Sequence, residues 1–364
     1  MNTPLTNRQI AFVVYCTMVG FGIINLPRDM AEAGGTGGWI PLVILTVVFM
    51  FNVYIISYLG YVNHGKTLIE YSEKLVGEFL TRIISIIYGI YFFMFFTFIT
   101  RIYAETVRMT MLPRTPSWVI TFVFFLLLYY SLSKGLNVIV RVCEMYGFIN
   151  IVGNIFMSII IFTQGEIINI RPLFVEEDLM LYLSGTSKLI FAFLGVELLF
   201  MIPFNKEKNS KIFKYTPAIV GITGAMYILI GESAISIGGI ELVTLYKASV
   251  FNIIRGLDVS YLEIFRRLDG IYVVVWSLNI ICSLSLWGYG VQQCINKGMN
   301  IKESKLVIAL LVLAACIIAQ IPESTNDVEK LLKYNGYLGY ITSLSLPLIL
   351  LIITKVKKYD KKTV

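Results

Sequence analysis

Ten stretches of this chain are apolar for about as long as a helix needs to cross a bilayer, roughly 20 residues for 30 Å of hydrocarbon. They cover approximately 8–32, 39–62, 83–111, 117–133 and 142–163, then 184–204, 212–237, 269–293, 305–321 and 337–354. Inside hydrocarbon every backbone N–H and C=O must be satisfied within the protein, which leaves helices and closed barrels, and the lengths select helices. Composition agrees: 57% of the 364 residues are hydrophobic, 15% are charged and the mean hydropathy is +0.77. That leaves too few polar residues to coat a water-soluble domain. The expectation is an all-α polytopic membrane protein of ten transmembrane helices, forming a single transmembrane domain over residues 1–364.

Lysine and arginine collect on the cytoplasmic side of membrane proteins. With the N-terminus inside, the inner segments hold about 18 of the 30 basic residues, including Arg8, the cluster at 206–214 and the tail at 355–362. The outer segments hold about 11, several beside acids as in Glu176-Glu177-Asp178. Both termini are therefore predicted to be cytoplasmic. The formal charge of +7 is read as an orientation and lipid-headgroup signal, with no nucleic-acid partner. Trp39, Trp118 and Trp287 fall near expected span ends, where interfacial tryptophan sits. The polar N-terminal lead is followed by no small-residue cleavage pattern, so this segment is expected to be retained.

The first span contains Cys16-Thr-Met-Val-Gly-Phe-Gly-Ile-Ile-Asn-Leu-Pro-Arg28. Glycine costs about 1 kcal/mol against alanine in a helix interior, and proline removes a backbone donor. A helix broken at Gly20, Gly22 and Pro27 is tolerated in a membrane only where it faces protein or a water-filled cavity. There its freed N–H groups can hold a carboxylate; alternatively, the glycines only let helices pack closely. Five spans per half make the second half enter from the opposite side, as in an inverted repeat over approximately 8–163 and 184–354. Transporters built this way bind between the interrupted first helices of the two halves. The sixth span has a matching interruption, Phe191-Ala-Phe-Leu-Gly-Val-Glu197 followed by Pro203, with Gly195 lying 175 residues after Gly20.

Those two segments resemble the unwound substrate-binding segments of the amino acid–polyamine–organocation transporters, which have the leucine-transporter fold. A closer resemblance is to the endospore germination permease family, the B subunits of spore germinant receptors. It is carried by Gly20 to Pro27 with Gly38-Trp39, by Gly195-x-Glu197 ending in Pro203-Phe204, and by Glu263-x-x-Arg266-Arg267-Leu-Asp269 leading to Trp276. The resemblance implies a leucine-transporter-like fold with helices 1 and 6 broken, a place in the spore inner membrane, and A and C subunits as partners. It also implies a small-molecule germinant, often an amino acid; an ordinary permease for amino acids or related solutes is the alternative reading.

Candidate ligand-binding residues are Val19, Gly20, Phe21, Gly22 and Ile23 at the first break and Phe193, Leu194, Gly195 and Glu197 at the second. Freed donors near Gly20 and Gly22 would face a carboxylate, while Phe21, Phe193 and Leu194 would meet a side chain. Glu197 reaches either a ligand amine or the freed backbone, where it would cap the broken helix without touching ligand. Asn150, Asn154, Ser283 and Ser285 are candidates to line the cavity or an ion site, against the simpler expectation that serines bond back to their own helix. In the resembling superfamily a sodium ion sits between spans one and eight, or a span-five lysine replaces it; span five here has no lysine.

Charges inside a span are functional candidates by default. Arg101 and Glu105 are four residues apart on one helix face, with Arg108 nearby, and read first as a structural pair. Glu232 is either a buried acid or a wet group near the outer end. The five cysteines, Cys16, Cys143, Cys282, Cys294 and Cys316, have no metal or redox spacing and read as buried thiols. The sequence has no phosphate-binding loop, and its single histidine, His64, lies in a polar loop. No enzyme activity, cofactor or metal is therefore expected.

Overall fold

The structure, a computed structural model, describes residues 4–245, 250, 253, 254 and 268–357, and every regular element among the described residues is helical. Glu263, Arg266, Arg267, the side chains of Phe21 and Asp269, and the tail beyond Lys357 lie outside the described residues. The helices are α1 (Asn7–Gly22), α2 (Leu26–Gly34), α3 (Trp39–Val62), α4 (Leu68–Val76), α5 (Glu78–Thr110), α6 (Ser117–Ser133) and α7 (Leu136–Gln164). After them come α8 (Leu179–Leu189), α9 (Ile212–Leu245), α10 (Leu268–Gly298), α11 (Lys305–Ile318), α12 (Thr325–Gly339) and α13 (Leu346–Val356).

Among the described residues, seven stretches are long and apolar enough to cross a membrane: α3, α5, α7, Glu176–Met201, α9, Tyr272–Gly298 within α10, and Thr325–Val356. α6 and α11 are shorter apolar helices. The chain is a multi-pass integral membrane protein. Large apolar side chains stand exposed on its outer helix faces, among them Val47 and Phe51 on α3, Ile86 and Ile90 on α5 and Phe148 and Val152 on α7. In water such a surface would drive association; against lipid tails it costs nothing.

Helix α1 forms the centre of the bundle, packed on α7, α9 and α10, while α10 also lies along α5. Several helices run past the apolar stretch that defines them in the sequence, so α5, α7 and α10 have 33, 29 and 31 residues. α9 continues beyond residue 237, but Gly238 and Gly239 leave helical geometry there, with φ +71° at Gly239, so the expected end of that span survives as a kink. The last span is α12 and α13 joined by a π-helical turn, Tyr340–Ser345. Near it, Gly336 and Gly339 let α12 approach the sixth-span residues: a Cβ on Gly339 would fall 2.7 Å from Leu194.

Trp287 is not interfacial. Because α10 extends to Gly298, Trp287 lies well inside the helix, is buried, and packs against Phe95 with ring centroids 4.7 Å apart. Trp118 is exposed, and Trp39 donates to the Leu173 carbonyl at 2.9 Å.

One end of the bundle gathers basic segments. Arg8 pairs with Glu144 at 2.7 Å, the Asn7 amide donates to the Lys208 carbonyl, and Lys297 pairs with Glu70 at 2.8 Å. Glu70 also caps α4 by accepting from the Thr67 N–H at 2.8 Å. Burial would push the Glu70 carboxyl up, but the Lys297 ammonium and the Thr67 bonds outweigh it and hold the group below the usual carboxylate range. The opposite end is closed by other ties. The Lys188 ammonium donates to the Glu32 carbonyl at 2.9 Å, and Arg101 donates to the Gln320 amide oxygen at 2.9 Å.

Candidate ligand site at two facing helix breaks

α1 runs to Gly22, residues 23–25 leave helical geometry, and α2 begins at Leu26 with Pro27 in its first turn. Proline is harmless there, since first-turn N–H groups have no intrahelical acceptor. The same residue prevents α1 from continuing straight through. The second break is sharper. α8 ends at Leu189, Ile190–Phe193 tighten into a 3-10 turn, Leu194 is extended, and Gly195 takes φ +118°. Side chains strain that backbone region, so glycine is the residue it favours. Val196–Met201 then resume as a 3-10 helix.

The breaks face each other at close range. A Cβ on Gly22 would fall 2.9 Å from Ala192 Cα and 3.1 Å from the Tyr227 hydroxyl oxygen; one on Gly195 would fall 2.9 Å from Thr17 Cβ. Gly20 is pressed on α10, where a Cβ would lie 2.3 Å from Ser283 Cβ. Close packing and interruption are therefore both served by the same glycines. The Trp276 indole donates to the Gly20 carbonyl at 3.1 Å, and the Tyr227 hydroxyl donates to the Ala192 carbonyl at 3.0 Å.

Glu197 is fully buried. Its two carboxylate oxygens accept from the Gly195 N–H at 3.0 Å each, and the Tyr91 hydroxyl donates to Oε1 at 2.6 Å. The carboxylate thus closes the second break from within, as a cap would.

Between the breaks lies a small cavity of about 10 Å³, close to the least that holds one water molecule. Thr17, Met18 and Gly22 of α1 line it, with Phe95 and Ile99 of α5, Phe191 and Leu194 of the sixth span, and Trp287 of α10. The walls are mostly apolar and aromatic. A larger cavity of about 630 Å³ opens between α5 and α10 around Arg82, Gly89 and Met299, but it contains no residue of either break. The paired interruptions, not the larger volume, mark the candidate site.

The other expected residues are distributed around this point. Val19 and Ile23 are buried one turn apart but do not line the cavity. Phe193 packs away from it, against Phe49 and Tyr227 at 5.3 and 5.6 Å between ring centroids. Phe191 and Leu194 line the cavity, while Phe193 between them faces the other way. Asn150 and Asn154 join a buried polar chain: the Tyr15 hydroxyl donates to Asn150 at 2.7 Å, Asn154 to Asn150 at 2.9 Å, and the Tyr272 hydroxyl to Asn154 at 3.1 Å. They tie α1, α7 and α10 together instead of lining the cavity. Ser283 and Ser285 are buried, and neither hydroxyl has a hydrogen-bond partner among the described residues.

Arg101 and Glu105 are not a pair. Glu105 accepts from Arg108, with the Arg108 Nε at 3.1 Å, and from the Ser117 hydroxyl, which occupies its second oxygen. With both oxygens taken, Arg101 reaches Gln320 instead. Glu232 is buried, and neither of its carboxylate oxygens has a hydrogen-bond partner among the described residues. Sequence reasoning missed Tyr91, Phe95 and Tyr227, because aromatic residues in an apolar span carry no local mark distinguishing a wall of a site from ordinary core.

A family model described as spore germination protein matches residues 4–328. The chain belongs to the spore germination protein family. Among curated members, spore germination protein YndE of Bacillus subtilis is 26% identical, covering 99% of each chain. Spore germination protein A2 of the same organism is 27% identical over 95% of this chain and 94% of its own length. The fold is shared with solved transporters of leucine-transporter type. A substrate-bound, Na+-coupled sialic acid symporter aligns with TM-score 0.64 at 12% identity, over 93% of this chain and 77% of its own. MhsT in complex with L-phenylalanine aligns with TM-score 0.60 at 14% identity, over 95% of this chain and 88% of its own.

Proposed function

We propose that this family member is the membrane-embedded B subunit of a spore germinant receptor, which binds a small germinant between the two helix breaks and so triggers germination. The observation that carries the reading is the close approach of Gly22 to Ala192 beside a cavity walled by Phe95, Phe191 and Trp287. An amino acid or similar solute fits that chemistry: its apolar part would meet the rings, and its carboxylate the N–H groups at the start of α2, because Gly20 and Gly22 lie in the last turns of α1, where the N–H groups are bonded within the helix. Val19, Ile23, Phe193, Leu194, Gly195 and Glu197 complete the proposed surroundings, with Glu197 holding the second break in shape. At about 10 Å³ the cavity must widen to admit such a ligand, so this conformation is the closed one.

The same reading takes the chain as one domain of ten spans, in two inverted sets over approximately 8–163 and 184–354. Spans one and six are the two broken ones. The clustering of Arg8, Lys208 and Lys297 at one end supports a cytoplasmic placement of that end, and with it of both termini. The same reading includes a spore inner-membrane location and A and C partner subunits, and membership of the spore germination protein family supports it. The transporter fold favours a second reading, a secondary permease for amino acids or related solutes.

Spores carrying Thr17→Val or Phe191→Leu should show germinant dose-response curves shifted to higher concentration, about tenfold for each 1.4 kcal/mol lost, at normal subunit levels by immunoblot. Unchanged curves at normal levels would remove the site. Rapid saturable uptake by proteoliposomes of the isolated chain would favour the permease. Labels at Lys208 and Glu177 should be reached from opposite sides of the membrane; reaching both from one side would remove the inverted repeat.

A further inference from the structure

Cys16 on α1, Cys143 on α7 and Cys282 on α10 are distant in sequence, and their spacing gives no hint of a shared role. The fold brings their three Sγ atoms within 4.8 Å of one another. All three thiols are free and almost wholly excluded from solvent. α7 can approach this closely because residue 147 is glycine: a Cβ there would lie 3.3 Å from Cys16 Sγ and 2.6 Å from the Phe12 ring.

We propose that the three sulfurs form a binding site for a soft monovalent metal ion, copper(I). The donor set is the first reason. Thiolate sulfur selects soft ions such as copper(I) and zinc over sodium, magnesium or calcium, which take oxygen. Zinc in closed sites asks for four ligands, whereas this cluster supplies three and contains no imidazole or carboxylate. Geometry is the second reason. With metal–sulfur bonds of about 2.3 Å, a planar three-sulfur site has its sulfurs about 4.0 Å apart. The trio is already within 4.8 Å, so less than about 1 Å of contraction completes it.

Each sulfur coordinates as thiolate and releases its proton to solvent on loading. The sulfurs come from three helices that meet beside the first break, with Cys16 one turn, about 6 Å, before Gly20. Loading the site therefore ties α1, α7 and α10 together in the arrangement described above and stabilises it by mass action.

The test uses the full-length chain purified in detergent and loaded anaerobically with copper(I) under ascorbate, against a bathocuproine competitor. One copper per chain should be retained, copper K-edge absorption should show three sulfur neighbours at about 2.3 Å, and the unfolding temperature should rise on loading. Cys16→Ser, Cys143→Ser and Cys282→Ser should each weaken retention at least about tenfold, one such factor corresponding to 1.4 kcal/mol. Cys294→Ser and Cys316→Ser should leave it unchanged. Retention by the triple variant equal to that of the parent would overturn the site. So would oxygen or nitrogen neighbours at the copper, or no retention by the parent. The absorption measurement on the unsubstituted protein decides the matter even where a serine variant fails to fold. None of these readouts depends on germinant binding, so the metal site and the germinant site can fail separately.

Discussion

The two helix breaks look alike in sequence and differ in how their backbone is satisfied. At the second, the Gly195 N–H is held by both oxygens of Glu197, Glu197 is held by Tyr91, and the Ala192 carbonyl is held by Tyr227. Every one of these partners is buried protein. At the first, Trp276 serves the Gly20 carbonyl, but α2 starts after Asn25 with no side-chain cap bond and a proline in its first turn. Donors at a helix start without a capping side chain are those a ligand can use. In the proposed germinant site the sixth-span break would be the rigid wall, and the first-span break the face that meets an anionic group.

The largest effect expected from this contrast is at Glu197. Glu197→Ala leaves the Gly195 N–H and the Tyr91 hydroxyl without their acceptor in the core, at about 1–3 kcal/mol for each orphaned group. The purified variant should unfold at a clearly lower temperature in detergent, and its level in spores should fall. Glu197→Gln keeps one acceptor for Gly195 and should be much milder in both measurements. A Glu197→Ala protein as abundant and as heat-resistant as the parent, yet unresponsive to germinant, would break the comparison by giving the carboxylate to the ligand.

Gly22→Ala comes next. Its methyl would fall 2.9 Å from Ala192 Cα, which is backbone and cannot swing aside. Overpacking of this kind typically costs about 1–3 kcal/mol. Because the methyl also points at the cavity wall, dose-response should move to higher germinant concentration even after correction for subunit level. A normal melting temperature would show that the two breaks lie farther apart than described here.

Much of this was legible in the sequence, and the parts that were not share a cause. Apolar run length made the all-helical, multi-pass class legible, because hydrocarbon sets a minimum length and forbids unsatisfied backbone. Glycine and proline found both breaks, because each acts on its own backbone. What failed was anything decided by the partner across the gap. Glu105 and Arg101 satisfy i, i+4 spacing, yet Arg108 and Ser117 reach the carboxylate first. Phe193 sits between two cavity residues in sequence and points elsewhere, against Phe49 and Tyr227. Trp287 was placed by a span end that the helix overruns. Cys16, Cys143 and Cys282 meet only because three spans converge. Periodicity along one helix says which residues share a face; it does not say what that face will touch.

The smallest effect tests whether the two breaks are coupled to each other. The Tyr227 hydroxyl donates to Ala192 at the second break and also stands 3.1 Å from where a Cβ on Gly22 would sit. Tyr227→Phe removes the hydroxyl with little change of shape, so alone it should cost about 0.5–1.5 kcal/mol, the net worth of one hydrogen bond. In the Gly22→Ala background the same change also removes one of the crowding atoms. Tyr227→Phe should therefore cost less there than in the parent, or raise stability slightly. A thermal-unfolding double-mutant cycle reads the difference directly, and contacting residues commonly show coupling of about 0.5–3 kcal/mol. Additive costs would mean that the hydroxyl is not wedged between the breaks, and that the wall and the ligand face are set independently. Coupling of the expected sign would mean that moving the first break, as ligand entry at the proposed site would require, is felt at the Ala192 carbonyl of the second.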